Sequence, residues 1–458
     1  MSAVFPVTSP TENRSSNDLM LADKLQQLPA QYHWALAEGP LLQAISRNEP
    51  MVRGARGRLL GGVVKVSQHL GLAWPLLSLV GLVELLRLLL RQRIAMRKGG
   101  SHHDHYPARF FVGFGAGKEE ELFVRYCETQ ADRVGRLDQV NVGSFSVWHG
   151  VDIVSGLRSL VRALAVAKMA LAALPPECAP WRADFFTYVG MRAGYFAYMR
   201  AWFEILKTKT GARVDEIAFL TGYIPAFAAV EVGLPTCYLQ HGMIRHSTLL
   251  PAFMRVEALT ASDAAFIRRR LPKARVTTHA RSRQALVPSQ MAREILVASI
   301  YYPDPEYISR IKPFVCWAND MKVPIRVRPH PCEDGTFWPG YERAGQVAID
   351  ENDDDFFHAI ARLQPRLVVS WFSTAMDDAL RCGVIPISVC ADDDPHVADM
   401  VYPLFQRCLR WPQDADSIAR LLDDDEYYAS VSSRLREGLS EVGAAELWCE
   451  GPPTTGVC

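Results

Sequence analysis

The sequence predicts an α/β protein with two Rossmann-like domains facing a cleft, preceded by a helical N-terminal extension. From Val214 onward, short apolar strands alternate with helices, which is typical of parallel sheets with right-handed crossovers. This alternation runs twice, on either side of the polar connector THARSRQALVPSQMAR. We therefore predict four regions. They are a disordered start and helical region (1–106), a first Rossmann-like domain for the acceptor (107–285), a second for the nucleotide (286–430) and a C-terminal helix and tail (431–458).

The individual strands are predicted as apolar runs that end in turn residues or at a helix start. In the first domain, Phe110–Val112 opens the fold and is followed by a glycine-containing loop and a helix with acids in its first turn. The remaining predicted strands are VDEIAFLTG, PTCYLQHG and RVEALTAS in the first domain, and EILVASIYY, PIRVRPHP, RLVVSWFS and VIPISVC in the second.

Composition narrows the class of partner. The 458 residues hold 50 basic and 50 acidic side chains, so net charge gives no support for a nucleic-acid partner. The ten cysteines form no C-x-x-C pair, which indicates reduced thiols and not a disulfide framework or a zinc site. The N-terminus has no secretory pattern. We expect a cytoplasmic protein that works at the inner face of the cytoplasmic membrane.

That membrane expectation comes from the helix predicted within Leu70–Lys98. Its uncharged stretch, Leu70–Val83, is shorter than the ~20 residues of a spanning helix. Beyond it, charged residues recur at helical spacing opposite leucines, so the helix suits a bilayer interface with Trp74 at headgroup level. Two alternatives stay open: a helix packed on the protein body and a true membrane span.

Two strand ends in the second domain carry groups suited to phosphate, because ligands of open α/β sheets bind beyond the carboxyl ends of strands. The strand PIRVRPHP ends in Arg328, which can grip a phosphate with two hydrogen bonds, and in His330 and Pro331. The strand RLVVSWFS runs through Ser370 into Ser373 and Thr374. Hydroxyls and unpaired N–H groups at that helix start also suit a phosphate, whereas simple N-capping is the alternative.

Other polar residues have weaker cases. Asp378, in the helix after Ser373, could meet a ribose hydroxyl or face solvent. In the first domain the strand PTCYLQHG ends in Gln240, His241 and Gly242, and an imidazole titrating near ~6.5 could accept a proton from an acceptor hydroxyl. Three aspartate triplets (353–355, 392–394 and 423–425) are interpreted as solvated, so we predict no metal site.

The order QHG, RPHP and SWFSTAMDDALRCG resembles GT-B transferases of bacterial surface polysaccharides over roughly Val214–Arg420. The most similar groups are the sialyl-, polysialyl- and Kdo-transferases and the polyol-phosphate polymerases of teichoic acid. The resemblance implies that His330, Pro331, Ser373 and Thr374 hold the phosphate and ribose of a CMP-sugar, and that His241-Gly242 lines the cleft. It also implies an acidic base, for which Glu119 and Glu120 are candidates although they follow a glycine instead of preceding one.

The expected function is therefore inverting, metal-independent transfer from a nucleotide-activated sugar, CMP-linked, to a glycan or glycolipid hydroxyl in capsule, O-antigen or lipooligosaccharide synthesis. No cofactor besides the donor is expected. Alternatives are a CDP-polyol phosphotransferase, a non-catalytic membrane-peripheral assembly protein and a sugar-nucleotide epimerase on the same scaffold.

Overall fold

The computed structural model describes most of the chain between residues 24 and 439. The described residues are 24–25, 27–36, 72–98, 105–113, 119–128, 133–139, 141–176, 178, 182–211, 213–221, 223–240, 242, 244–246, 248–278, 291–300, 305–330, 333, 335–352, 356–371, 373–390 and 400–439; the side chains of 119–122, 125, 182–188, 305–306 and 438–439 are outside this description. The chain divides into two compact units. Unit 1 is Met1–His241, Arg245–Glu257 and Ile267–Thr277, and unit 2 is Gly242–Ile244, Ala258–Phe266 and Thr278–Cys458.

Sheet 1 forms the centre of unit 1. Its six strands have the order β2-β1-β3-β4-β5-β6, and the pairs from β2 through β5 are parallel. The strand order reverses between β1 and β3, which makes this the switch point of the sheet. The strands are β1 (Arg109–Gly113), β2 (Val134–Asp138), β3 (Glu216–Phe219), β4 (Thr236–Leu239), β5 (Arg255–Ala258) and β6 (Arg275–Thr278).

Long helices cover sheet 1 in two layers. The helix α6 packs directly on the sheet, since Trp202 meets Phe110 edge-on at 6.2 Å and Phe203 meets Phe219 at 6.4 Å. The helices α2 and α5 pack on α6. The helices are α1 (His33–Leu36), α2 (Ala73–Arg97), α3 (Glu119–Glu128), α4 (Val142–Ser146), α5 (Ile153–Ala172), α6 (Arg182–Thr210), α7 (Ile224–Val232) and α8 (Ala261–Arg270, which straddles the unit boundary).

Sheet 2 forms the centre of unit 2 and has the order β12-β11-β10-β7-β8-β9, with every neighbouring pair parallel. Counted from β7 in chain order, this is the 3-2-1-4-5-6 order of a dinucleotide-binding sheet. Its switch point lies between β7 and β10. The strands are β7 (Ala292–Ala298), β8 (Ile325–Arg328), β9 (Ala348–Ile349), β10 (Pro365–Ser370), β11 (Ile385–Ser388) and β12 (Leu409–Arg410).

Both faces of sheet 2 are buried. Along β10, Leu367 and Val369 join one apolar cluster, and Val368 between them joins another. Successive strand residues point to opposite faces, so this alternation requires helices on both sides of the sheet. These helices are α9 (Pro305–Asp320), α10 (Trp338–Arg343), α11 (Phe356–Leu363), α12 (Thr374–Arg381), α13 (Leu404–Arg407), α14 (Ala415–Asp423) and α15 (Asp425–Leu439).

The predicted α/β class with two Rossmann-like sheets is confirmed, and all eight predicted strands exist. Four strands were not predicted from the sequence: β2, β6, β9 and β12. All four are the outermost strands of their sheets. They are short or partly exposed, as in Arg275–Thr278 where no residue is buried, so they lack the continuous apolar run that marks an inner strand.

Candidate functional site

At the switch point of sheet 2, a side-chain hydrogen bond joins the two central strands, β7 and β10. The Ser370 hydroxyl donates to the carbonyl oxygen of Ala298 at 2.9 Å, and Ser370 is fully buried. The hydroxyl therefore ties the end of β10 to the end of β7. Its predicted contact with the nucleotide stays a prediction, and the geometry gives it a second role in shaping the edge of the sheet.

The end of β8 carries a network of arginines around one buried carboxylate. Arg328 donates from Nη1 to Oδ2 of Asp350 at 2.9 Å, and Asp350 directly follows β9. Arg362 of α11 donates to both carboxylate oxygens of Asp350, at 2.9 and 3.1 Å. Asn352 donates to Oδ1 at 2.8 Å. The carboxylate thus holds two guanidinium groups beside the carboxyl end of the sheet.

The electrostatics of this network favour a fixed negative charge at its centre. The Asp350 side chain is 2 % exposed, and burial alone raises the pKa of a carboxyl group. The hydrogen bonds from Arg362, Asn352 and Arg328 outweigh burial and hold the pKa of Asp350 at about 2. Asp350 therefore stays ionised at neutral pH. It orients Arg328, while Arg362 remains partly exposed at 37 %.

The turn after β8 positions His330 through its backbone. The His330 N–H donates to the Glu333 carboxylate at 3.2 Å, and the Glu333 N–H donates back to the His330 carbonyl at 2.8 Å. Below this turn, the indole N–H of Trp338 donates to the hydroxyl of Ser299, which follows β7, at 3.0 Å. His330 is half-buried, and Pro331 lies outside the described residues. These contacts fix the backbone that carries the imidazole.

The helix α12 begins directly after β10 with a capped N-terminus. The Ser373 hydroxyl accepts a hydrogen bond from the Ala375 N–H at 3.2 Å, so the capping interpretation of Ser373 is confirmed. Thr374 is the first helical residue and is partly exposed. The alternative that Asp378 faces solvent is wrong, because Asp378 is 5 % exposed and lies in a helix that is buried from Ala375 to Arg381.

The candidate residues after β4 and at the start of α3 are described only in part. Gln240 is buried, and its backbone N–H donates to the Glu257 carbonyl at 3.0 Å, next to the carboxyl end of β4. Gly242 is exposed. His241 and the side chains of Glu119 and Glu120 lie outside the described residues. The helix predicted over Lys118–Tyr126 is described as α3 at Glu119–Glu128. The identity of the base stays a prediction.

A second charged network lies in sheet 1, at the amino ends of its strands. Glu216, the first residue of β3, accepts from Arg255, the first residue of β5, in two hydrogen bonds of 2.8 Å. The Tyr126 hydroxyl donates to the same carboxylate at 2.7 Å, and Arg109 lies 3.6 Å away. Burial raises the pKa of Glu216, but Arg255 and Tyr126 more than offset it and lower the pKa overall. This network joins the amino ends of three strands.

No metal site is evident within the described residues, where no group of three His, Cys, Asp or Glu side chains could hold an ion. The triplets 353–355 and 392–394 lie outside that part of the chain. In the third triplet, Asp423 pairs with Arg293 at 2.6 Å, Asp424 with Arg420 at 2.8 Å and Asp425 with Arg366 at 2.6 Å. These three aspartates are thus occupied by ion pairs between elements of unit 2.

Two residues of the network at the end of β8, Asp350 and Arg362, were not predicted from the sequence. Asp350 follows the two-residue strand β9, which sequence patterns did not reveal. The only local signal in the sequence is a short apolar run, VAI, followed by an aspartate. The longer predicted strands likewise end in polar residues. Arg362 had no such signal, because its partner is set by the fold.

No protein-family model matches the sequence, and no curated protein matches it. Several solved structures show a distant similarity in fold. Methanocaldococcus jannaschii UDP-GlcNAc 2-epimerase, in complex with UDP-GlcNAc and UDP, is 9% identical with a TM-score of 0.32, over 43% of this chain and 65% of that one. S. aureus MnaA with UDP is 10% identical with a TM-score of 0.40, over 76% of this chain and 100% of that one. Acinetobacter baumannii MurG is 11% identical with a TM-score of 0.37, over 74% of this chain and 98% of that one. Similarity at this level does not identify the reaction.

Proposed function

We propose that the protein transfers a sugar from a nucleotide-activated donor, and that the donor's phosphate binds at the carboxyl edge of sheet 2. The observation that carries this proposal is the Arg328–Asp350–Arg362 network. It lies at the edge where ligands of open α/β sheets bind, in a sheet with the strand order of nucleotide-binding domains.

Asp350 makes the two arginines suitable for an anion. A guanidinium group on a flexible side chain loses conformational entropy when it binds, and a buried carboxylate that holds it beforehand removes part of that loss. Arginine matches phosphate through a planar fork of donors. The N-terminus of α12, with Ser373 and Thr374, offers N–H groups and the positive end of a helix dipole at the end of β10, which is separated from β8 by β7. These groups would stabilise negative charge that develops on the leaving phosphate.

The finer proposal follows the sequence resemblance. The donor is CMP-linked, of the sialic acid or Kdo type, and the acceptor is a glycan or glycolipid hydroxyl of a bacterial surface polysaccharide. The transfer is inverting and needs no bound metal, and His241 or a glutamate of the Glu119–Glu120 pair removes the acceptor proton. Asp378 and Gln240 are proposed contacts to substrate.

A CDP-polyol phosphotransferase would use the same phosphate site, because both donors carry a cytidine phosphate. Only the product separates the two enzymes. A non-catalytic assembly protein at the membrane would need no phosphate site, so nucleotide binding argues against it.

The test is a thermal-shift panel of the full chain with CMP, CDP, UDP and GDP, followed by product analysis with the corresponding activated sugars. A ligand that binds only the folded protein raises the unfolding midpoint as it saturates the site. We expect CMP or CDP to raise the midpoint, and His330→Ala to abolish that rise without lowering the midpoint of the unliganded protein. Phe337→Leu, which changes an apolar residue near the same turn, is the control for local packing.

Stabilisation by UDP or GDP alone would retain the transferase and discard the cytidine donor. If no nucleotide shifts the midpoint, and no activated sugar is turned over, the proposal is wrong.

A further inference from the structure

One described helix, α2 (Ala73–Arg97), is long and apolar enough to cross a membrane when judged by length and composition alone. The core helix of a soluble protein can pass the same test, so the contacts of α2 decide how it is used. Only a third of its most apolar window is buried inside the protein.

One face of α2 is bound to the body of unit 1. A Cβ atom added to Gly194 of α6 would lie 2.4 Å from the carbonyl oxygen of Gly81, so the two helices touch backbone to backbone. Near the end of α2, buried Gln92 exchanges hydrogen bonds with the backbone of Val151 at 2.8 and 3.1 Å, and accepts one from Tyr198 at 2.8 Å. Since α6 itself packs on sheet 1, α2 is an outer layer of a globular unit and is not placed to leave it.

The opposite face of α2 is apolar and exposed. Leu79, Val83, Leu86 and Leu90 follow one another at intervals of three and four residues, which puts them on one side of the helix. Val83 is 57 % exposed and Leu90 is 60 % exposed. The leucines of this helix therefore occupy two faces, one packed on α6 and one uncovered, and not the single face that the sequence analysis expected.

The neighbouring helix α5 extends this uncovered face. It runs antiparallel to α2, because Gly156 near its start meets Leu85 and Lys168 near its end lies over the ring of Trp74 at 5.8 Å. The outer side of α5 exposes Val154, Leu157 and Val161, and Val161 is 69 % exposed. Two adjacent helices thus present apolar side chains away from the protein.

The charges around this face are predominantly basic. From Ala73 to Lys98, α2 holds five basic residues and one acid, Glu84, which pairs with Arg87 at 2.7 Å. The helix α5 holds three basic residues and no acid. The exposed cations include Arg91, Arg93, Arg97 and Lys98 in the last turns of α2, beside the chain that enters α5.

We propose that the exposed apolar side chains of α2 and α5, with their cations, form a surface that lies in the interface of an anionic lipid bilayer. Apolar side chains enter the acyl boundary while arginines and lysines stay among the phosphates, which is how helices with such a face bind membranes. An anionic bilayer is the occupant that satisfies both parts, because a purely apolar partner would leave the cations unpaired. Neither helix spans the membrane. This proposal is independent of the donor and of the reaction.

The test is co-sedimentation of the full chain with vesicles of phosphatidylcholine alone and of phosphatidylcholine with about 30 % phosphatidylglycerol. We expect binding to the anionic vesicles that weakens with added salt. Val161→Ser and Leu90→Ser should each weaken it by about tenfold, because each removes a buried aliphatic group in the bound state. Arg93→Gln with Arg97→Gln should weaken it by about 25-fold, from roughly fivefold for each charge.

Matched controls lie elsewhere on the chain. Met254→Ser changes an exposed apolar residue before β5, and Arg269→Gln changes an exposed cation on α8. Both should bind vesicles as the unchanged protein does, and circular dichroism melting should confirm that every variant folds.

Three outcomes would overturn the proposal. The first is absence of binding to anionic vesicles. The second is a dimer in light scattering that Val161→Ser dissociates, which would make this face an interface between copies. The third is retention of the protein in native membranes after extraction at alkaline pH, which would show that α2 spans the bilayer.

Discussion

Each sheet carries a network of arginines around a buried carboxylate. The network of sheet 1 lies at the amino ends of its strands, and the network of sheet 2 lies at the carboxyl ends of its strands. In sheet 1, Glu216 and Arg255 begin their strands, and Tyr126 closes the network from α3. In sheet 2, Arg328 ends its strand and Asp350 follows the next one. The two networks contain nearly the same residue types and differ in position. Ligands of open α/β sheets bind at the carboxyl ends of the strands, so the network of sheet 2 can contact a ligand while the network of sheet 1 joins strands.

The two networks also differ in their balance of arginines and carboxylates. Among the described residues, the network of sheet 1 holds two arginines, Arg109 and Arg255, and two carboxylates, those of Glu216 and Glu257. In the network of sheet 2, two arginines, Arg328 and Arg362, pair with the one carboxylate of Asp350. A network that collects cations around one anion suits an anionic ligand. We therefore expect substitutions in sheet 1 to change stability alone and substitutions in sheet 2 to change nucleotide binding as well.

The largest effect on stability is expected for Glu216→Gln. Loss of this charge leaves Arg255 and Arg109 without their central partner, which should lower the free energy of unfolding by about 3 kcal/mol. Urea unfolding measures it, with Glu204→Gln, a half-exposed partner of Arg200, as a control that should change stability by less than about 1 kcal/mol. If Glu216→Gln also weakens nucleotide binding in the folded protein, the contrast between the two edges is broken.

Asp350→Asn is expected to weaken nucleotide binding by about tenfold and to lower the free energy of unfolding by about 2 kcal/mol. The uncharged amide no longer holds both guanidinium groups in place. The ligand must then order them when it binds, and this lowers its affinity. Calorimetric titration with CMP and urea unfolding measure the two effects. Asp423→Asn removes an exposed partner of Arg293 and should change neither by more than about 0.5 kcal/mol. Unchanged CMP affinity in Asp350→Asn would count against the proposed site.

Ser373→Ala should lower the free energy of unfolding by about 1 kcal/mol through loss of the helix cap. We expect CMP affinity to fall by a few fold, because the start of α12 becomes less ordered. Ser373→Thr keeps the capping oxygen and should restore both properties. A loss of stability with no change of affinity would assign Ser373 to capping alone.

The smallest effect is a pH dependence. The pKa of Asp350 is about 2 in the folded protein, below its ordinary value of 3.8, so its stabilising effect is present above that ordinary value and is lost as the pH falls toward 2. The gap in thermal midpoint between the unchanged protein and Asp350→Asn should therefore be constant between about pH 8 and pH 5 and narrow below about pH 4. A gap that already closes near pH 6 would mean that the carboxylate is not held by these arginines.

The sequence predicted the inner strands of both sheets because most of those strands are buried on both faces. Pro365–Ser370 and Ile385–Ser388 contain buried residues only, and such runs stand out from their surroundings. Edge strands such as Leu409–Arg410 depend on a neighbour for their pairing and carry no pattern of their own. The helix predicted within Leu70–Lys98 is observed at Ala73–Arg97, within three residues at each end.

The candidate site was predictable to the extent that its residues follow predicted strands. Arg328, His330, Ser373 and Thr374 do so, and the sequence selected them by position and chemistry. Asp350 could not be found because β9 was not predicted. The burial of Ser370 and Asp378 also depends on neighbours far along the chain.

The most direct test of the phosphate site uses two arginines of the same strand. Arg326 and Arg328 are two residues apart on β8 and share a face, but Arg326 pairs with Glu294 before the strand end and Arg328 with Asp350 at it. Calorimetric titration with CMP should show an affinity loss of about 100-fold for Arg328→Gln, since a charged contact to phosphate is removed, and of less than about twofold for Arg326→Gln. Equal losses in the two variants, or no loss in either, would contradict the assignment of the carboxyl edge of sheet 2 as the nucleotide site.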